Sequence, residues 1–210
     1  MNYEIIVQKN LLAHYVQTSL QTIKDMLVYR NIQPNYLNKY SDIEISTIID
    51  NDDLFVFQVN ETTSIIYVLQ MDQRTRKQIS KITSNMKHVL FVIDDTFKRD
   101  TFSSYTADNV EIWNVNELMY NIARHNYVPK HEIVADVEVQ DILNTYNITV
   151  HDLPGIRIND PMARYIGAKA GELVRIFRNS QNMGDTIVYR YCNSIVDDVD
   201  SDGDDSPYTV

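Results

Sequence analysis

The sequence has no glycine before Gly155, a single cysteine and no long apolar run. Each absence removes a class of function. Loops that cradle a nucleotide need closely spaced glycines, because backbone N–H groups must approach the phosphates without a Cβ in the way. The close pair Gly167 and Gly171 lacks the Lys-Ser/Thr that should follow the second glycine, so it reads as a helix stop and then a turn. Cys192 alone cannot form an internal disulfide or build a zinc site. The longest apolar runs, Leu54–Phe57, Ile65–Leu69 and Val89–Ile93, fall short of the roughly 20 residues of a membrane helix. Met1-Asn2-Tyr3-Glu4 shows no basic-then-apolar leader pattern. A soluble, non-secreted protein without metal or cofactor is expected.

Basic charge is also scarce. Lys and Arg number 19 against 29 Asp and Glu, for a net charge of -10. Much of that deficit sits in residues 196–210, which hold six Asp and no Lys or Arg. The remainder is close to neutral, which argues against a large basic DNA-binding surface. The tail cannot bury apolar area and is expected to be disordered and solvated, with Ser201 placed among acids as a phosphorylation candidate.

What is present suggests two modules. Proline is missing between Pro34 and Pro129, and glycine begins only after that point, so the boundary is placed at 128/129. Residues 1–128 read as helices alternating with strands. Apolar positions at helical spacing (Ile5, Leu12, Val16, Leu20, Ile23, Leu27) predict a helix over 4–30. Leu54–Val59, Ile65–Leu69, the run within Lys87–Asp94, and Val110–Trp113 read as strands, with helices over 72–87 and Glu117–Arg124. In residues 129–195, strands are expected at Glu132–Ala135, Ile156–Ile158, Leu173–Phe177 and Thr186–Tyr191, and a helix at Glu138–Tyr146; Leu173–Phe177 alternates apolar and basic residues, with one face for the core and one for a partner. Asp160-Pro161 caps and opens a helix that Gly167 ends. The fold class is α+β or α/β: a sheet flanked by helices, then a smaller α+β module with a mixed sheet.

Catalytic constellations are sparse. Asp94-Asp95 ends a buried strand, which would suit a metal-dependent nuclease, but no lysine follows on the neighbouring strand; turn and cap roles explain the pair more simply. The five histidines never fall at i, i+3 or i+4, so no helical metal pair exists, and they read as partly exposed polar residues. Cys192 reads as a buried structural thiol. On the helix over 72–87, Arg74, Lys77 and Lys81 share one face, opposite Ile79, Ile82 and Met86. That face is a solvated surface or a sequence-independent contact to nucleic-acid phosphates.

In the second half, His131-Glu132, Leu153-Pro154, Arg157-Ile158, the run Asp160 to Gly167, Lys169, Gly171-Glu172-Leu173-Val174-Arg175-Ile176 and Tyr189-Arg190 form a long ordered string. It resembles the fifth subunit shared by eukaryotic nuclear RNA polymerases, and equally the archaeal counterpart of that subunit, which consists of this half alone. Trp113-Asn114, His125 and Val128-Pro129-Lys130-His131 resemble the joint between the family's modules. The resemblance is strong over about 110–195 and loose over 1–109, and the first module points to the eukaryotic type. It implies a non-catalytic subunit, monomeric within a hetero-oligomer, whose residues 129–195 bind the largest polymerase subunit and its neighbours. The implied docking residues are Pro154, Arg157, Asp160, Pro161, Arg164, Tyr165, Gly167, Lys169, Gly171, Arg175 and Arg190. Residues 1–128 would form a jaw near downstream duplex DNA, touched weakly and without sequence specificity by Arg74, Lys77 and Lys81. Such a subunit works in the nucleus. The acidic tail departs from the family pattern and, with the frequent tyrosine, asparagine and isoleucine, points to a large eukaryotic DNA virus, where the site of action becomes a cytoplasmic factory and the virion. The competing readings are a free-standing regulator with the same fold and the nuclease.

Overall fold

The computed structural model describes residues 3–40, 54–97, 109–180 and 184–194. The acidic tail lies outside the described residues. The chain divides into two compact units between Asn121 and Ile122.

The first unit opens with α1 (Tyr3–Tyr29), unbroken because it holds neither glycine nor proline. Val16, Leu20, Ile23 and Leu27 form its buried stripe. The helix stops where Asn31 turns left-handed (φ 62°) and the Ile32 N–H donates to the Leu27 carbonyl at 2.8 Å. Four strands follow: β1 (Leu54–Gln58), β2 (Thr63–Val68), β3 (His88–Ile93) and β4 (Val110–Asn114). They lie in the order β1-β2-β3-β4; the first pair is antiparallel and the other two are parallel. The helix α2 (Gln73–Asn85) is the crossover from β2 to β3. Its start is set by Asp72, whose side chain accepts from the Thr75 N–H at 2.6 Å.

Both faces of this sheet are covered, and the alternation of strand residues shows how. Ile66, Val68, Val89, Phe91 and Ile93 form one buried cluster with Ile79 of α2. The opposite face carries Phe55, Phe57, Ile65, Tyr67, Leu90 and Val92, all buried. There Ser19 of α1 hydrogen-bonds the Tyr67 hydroxyl at 2.7 Å, which places α1 on that side. Strands buried on both faces read as near-continuous apolar runs, as β2 and β3 do.

The second unit contains β5 (Lys130–Ile133), α4 (Asp136–Tyr146), β6 (Gly155–Arg157), α5 (Pro161–Ile166), β7 (Leu173–Ser180) and β8 (Gly184–Asn193). The sheet order is β5-β7-β8-β6, with β6 parallel to β8 and the other pairs antiparallel. It is a mixed sheet, and the fold is α+β.

Three expectations need correction. The helix expected over Glu117–Arg124 is two short pieces, α3 (Val115–Leu118) and a 3-10 turn (Ile122–Arg124). A capping box between Asn114 and Glu117 starts α3 early. The Asn121 amide then donates to Asp25 of α1 at 2.9 Å, a tertiary bond that overrides the helical spacing of Leu118, Met119 and Ile122. The strand expected at Glu132–Ala135 begins instead at Lys130, directly after Pro129. β7 does not separate a core face from a partner face: Leu173, Val174 and Ile176 are all buried, and Arg175 is largely covered.

Candidate docking and nucleic-acid surfaces

The second unit's fingerprint residues begin with a helix start. Asp160 caps α5 by accepting from the Met162 N–H at 2.8 Å and the Ala163 N–H at 3.2 Å, with Pro161 in the first turn. Gly167 ends the helix at φ 76°, and Gly171 sits at φ 94°, where a Cβ would be strained. Tyr165 is buried with Met162, Ala163 and Ile166. These residues build the framework of the unit.

The arginines are partly tied inward. Arg175 pairs with Glu138 of α4, which raises its pKa, and its guanidinium lies 6.0 Å from the Tyr189 ring centroid. Arg190 donates to the Gly155 carbonyl at 3.0 Å, joining β8 to β6. Arg164 is half-buried on α5.

Pro154, Arg157, Pro161 and Lys169 remain exposed, as does Gly171. The topology gathers most of this set at one end of the sheet. Gly155 to Arg157 pair with Tyr191 to Asn193, the Gly171 N–H donates to the Cys192 carbonyl at 2.8 Å, and the Lys169 N–H donates to Glu172 at 2.7 Å. Segments 154–157 and 169–172 therefore meet around the end of β8, though neither adjoins it in sequence.

His131 is buried rather than partly exposed, a correction to the sequence expectation. Burial lowers its pKa, opposed by its hydrogen bond to the Pro129 carbonyl at 2.8 Å and by the charge of Asp160. Cys192 is fully buried, and that burial raises its thiol pKa.

In the first unit, Arg74, Lys77 and Lys81 are exposed on α2, while Thr75 and Ile79 are buried and Ile82 and Met86 pack on the core. Lys77 and Lys81 form no salt bridge among the described residues.

Asp94 and Asp95 are hydrogen-bond acceptors in a turn. Asp94 accepts from the N–H and hydroxyl of Thr96; Asp95 accepts from the amides of Asn114 at 2.5 Å and Asn116 at 2.7 Å. Among the described residues no three His, Cys, Asp or Glu side chains are grouped to hold a metal. No described helix is long and apolar enough to cross a membrane.

A polar cluster absent from the sequence reading links α1 to the sheet. Glu111 of β4 binds Arg30 through two bonds at 2.6 and 3.0 Å, His88 of β3 at 2.8 Å, and the Trp113 indole N–H at 3.1 Å. The Arg30 side chain is only 6% exposed, so the carboxylate supplies its main compensation. Burial raises the Glu111 pKa, but the His88 bond and the Arg30 charge outweigh it and hold the group well below the carboxylate range. Arg30 and Glu111 are 81 positions apart, so no local pattern could have revealed the pair.

Comparison with known proteins bears on the same regions. The family model described as RNA polymerase Rpb5, C-terminal domain, matches residues 120–192. The Dictyostelium discoideum protein named DNA-directed RNA polymerases I, II, and III subunit rpabc1 is 31% identical over 158 residues, 68% of this chain and 79% of that protein. DNA-directed RNA polymerase subunit Rpo5 of Methanocaldococcus jannaschii is 48% identical over 69 residues, 33% of this chain and 88% of that protein. The Methanosarcina acetivorans protein of the same name is 41% identical over 71 residues, 34% of this chain and 91% of that protein.

Proposed function

The chain belongs to the RNA polymerase Rpb5 family, and from that membership we propose that its second unit docks it on the largest polymerase subunit. It is a non-catalytic structural subunit of DNA-directed RNA polymerase. Its partners are other polymerase subunits. The assembly module is assigned to residues 129–195 and the jaw to 1–128. A cellular chain of this kind works in the nucleus.

One observation carries the docking reading: Pro154, Arg157, Lys169 and Gly171 are exposed around the end of β8, on segments that the framework residues hold in place. Rigid placement lowers the entropy lost on binding. Arg157 is the kind of side chain enriched at interface cores. Asp160, Tyr165 and Gly167 support this surface from within.

The test is co-assembly of the full chain with the largest subunit. Arg157→Glu with Lys169→Glu should weaken binding at least about tenfold, since like-charge juxtaposition costs several kcal/mol. Unchanged binding by a correctly folded double variant overturns the docking reading. The jaw reading adds a phosphate contact through Arg74, Lys77 and Lys81, which face solvent together on α2.

A further inference from the structure

The second sheet is closed unevenly. β6 pairs only with Tyr191 to Asn193, so the earlier part of β8 has β7 on one side and no described strand on the other. The ladder shows which backbone groups are left. The Cys192 N–H donates to the Glu172 carbonyl at 2.9 Å, so even-numbered residues of β8 aim their backbone groups at the β7 side. The Tyr191 N–H donates to the Pro154 carbonyl at 3.0 Å, so odd-numbered residues aim at the β6 side. Before β6 begins, the N–H and C=O of Ile187 and Tyr189 therefore face an open edge, without a backbone partner among the described residues.

Monomeric sheets protect such edges with lysine, proline or very short strands. The opposite edge does so: β5 has four residues, follows Pro129 and contains Lys130. The open stretch of β8, Thr186-Ile187-Val188-Tyr189, has no charge and no proline, and Ile187 is 44% exposed.

We propose that an extended segment of the largest polymerase subunit adds to this edge as a further strand, a proposal that rests on the docking reading above. The register specifies that segment's chemistry. Ile187, Tyr189, Phe177 and Arg175 share one face of the sheet, where Arg175 is already paired with Glu138 and the Tyr146 ring of α4 lies 6.1 Å from that of Tyr189. Arg178 and Arg190 lie on the other face. The added strand therefore alternates apolar residues, on the Ile187 and Tyr189 side, where Arg175 is satisfied by Glu138, with carboxylates on the side of Arg178 and Arg190. It continues the line of β6 and so adjoins the docking surface at its Pro154 end.

Hydrogen–deuterium exchange on the full chain, alone and assembled with the largest subunit, tests this. The Ile187 and Tyr189 amides should exchange at least about tenfold more slowly in the assembly, because new ladder bonds must open first. The Arg190 amide, already directed at β7, should change less. If assembly forms and the two amides stay unprotected, the edge proposal falls while the docking reading stands. If no assembly forms, both fall. Protection in the isolated chain that grows with concentration, together with a doubled mass, would identify a second copy as the occupant and overturn the proposal. Ile187→Pro removes one outward N–H, leaves the β7 ladder bonds intact and replaces a side chain that is 44% exposed. It should raise the dissociation constant at least about tenfold with the melting temperature of the free chain nearly unchanged; unchanged binding counts against the edge.

Discussion

The two units hold their charged residues differently. In the first, the arginine at the end of α1 is buried against Glu111, while the cations of α2 stand in solvent. In the second, the arginines of the fingerprint lie between these extremes: Arg175 and Arg190 bind groups of their own unit and keep part of their surface accessible. An irregular, recognisable string of residues is therefore not the same thing as a contact surface. Much of the string from Asp160 to Gly171 exists because a cap, a left-handed stop and a buried tyrosine are needed to hold two segments together. The contact surface proposed here is the smaller, exposed remainder.

The sharpest way to break this comparison is to remove the buried pair. Glu111→Leu leaves Arg30 without its carboxylate and should destabilise the first unit by about 3 kcal/mol, the low end for a buried pair because Glu111 keeps some contact with water. Urea unfolding followed by Trp113 fluorescence measures it. A loss below about 1 kcal/mol would show that solvent already screens the pair.

Acid should separate the units. The folded-state pKa of Glu111 lies below its ordinary 4.5, so its contribution is fully present above that pH and is lost as pH falls through the folded value. His131 has a pKa lowered from 6.5, so its neutral form favours the fold above that pH and the advantage fades as pH falls below it. The second unit should therefore start to lose stability at a higher pH than the first. Amide exchange followed from pH 7 to about pH 2, across the imidazole range and below the carboxylate range, reads the onset of both in one sample. Loss of protection in the first unit before the second would reverse the assignment.

Smaller effects test the framework. Asp160→Ala removes the cap of α5 and should cost about 1 kcal/mol. Gly167→Ala forces a Cβ into the left-handed region and should cost a similar amount, about 1 kcal/mol. Thermal melts check both, and a neutral Asp160→Ala would mean the cap matters for docking alone. The smallest effect on folding is expected from reversing Arg74, Lys77 and Lys81 to Glu, within about 0.5 kcal/mol because the side chains are exposed. The same variant should weaken polymerase–DNA complexes and lower the slope of affinity against salt by roughly one for each phosphate no longer neutralised. An unaltered slope removes DNA binding by α2 from the jaw reading.

The legible parts of the fold share one property. β2 and β3 were readable as apolar, β-branched runs, α2 from one amphipathic face, and α5 from Asp-Pro at its start and Gly at its end. Each of these signals lies within a single turn or strand. The break of α3 was not readable, because it depends on Asn121 meeting Asp25, 96 positions earlier. Burial of His131 was equally hidden, since it follows from the packing of α5 against β5.

The sequence alone determined the helix caps, the strand cores, the left-handed glycines and the family likeness, all of which are local or ordered along the chain. Tertiary structure decided which charges lie inside and which lie at the surface: Glu111 between Arg30 and His88, Glu138 against Arg175, and Arg157 and Lys169 exposed at the end of β8. The physical reason is that the state of a charge depends on its neighbours in space, whereas local pattern reports only the neighbours along the chain.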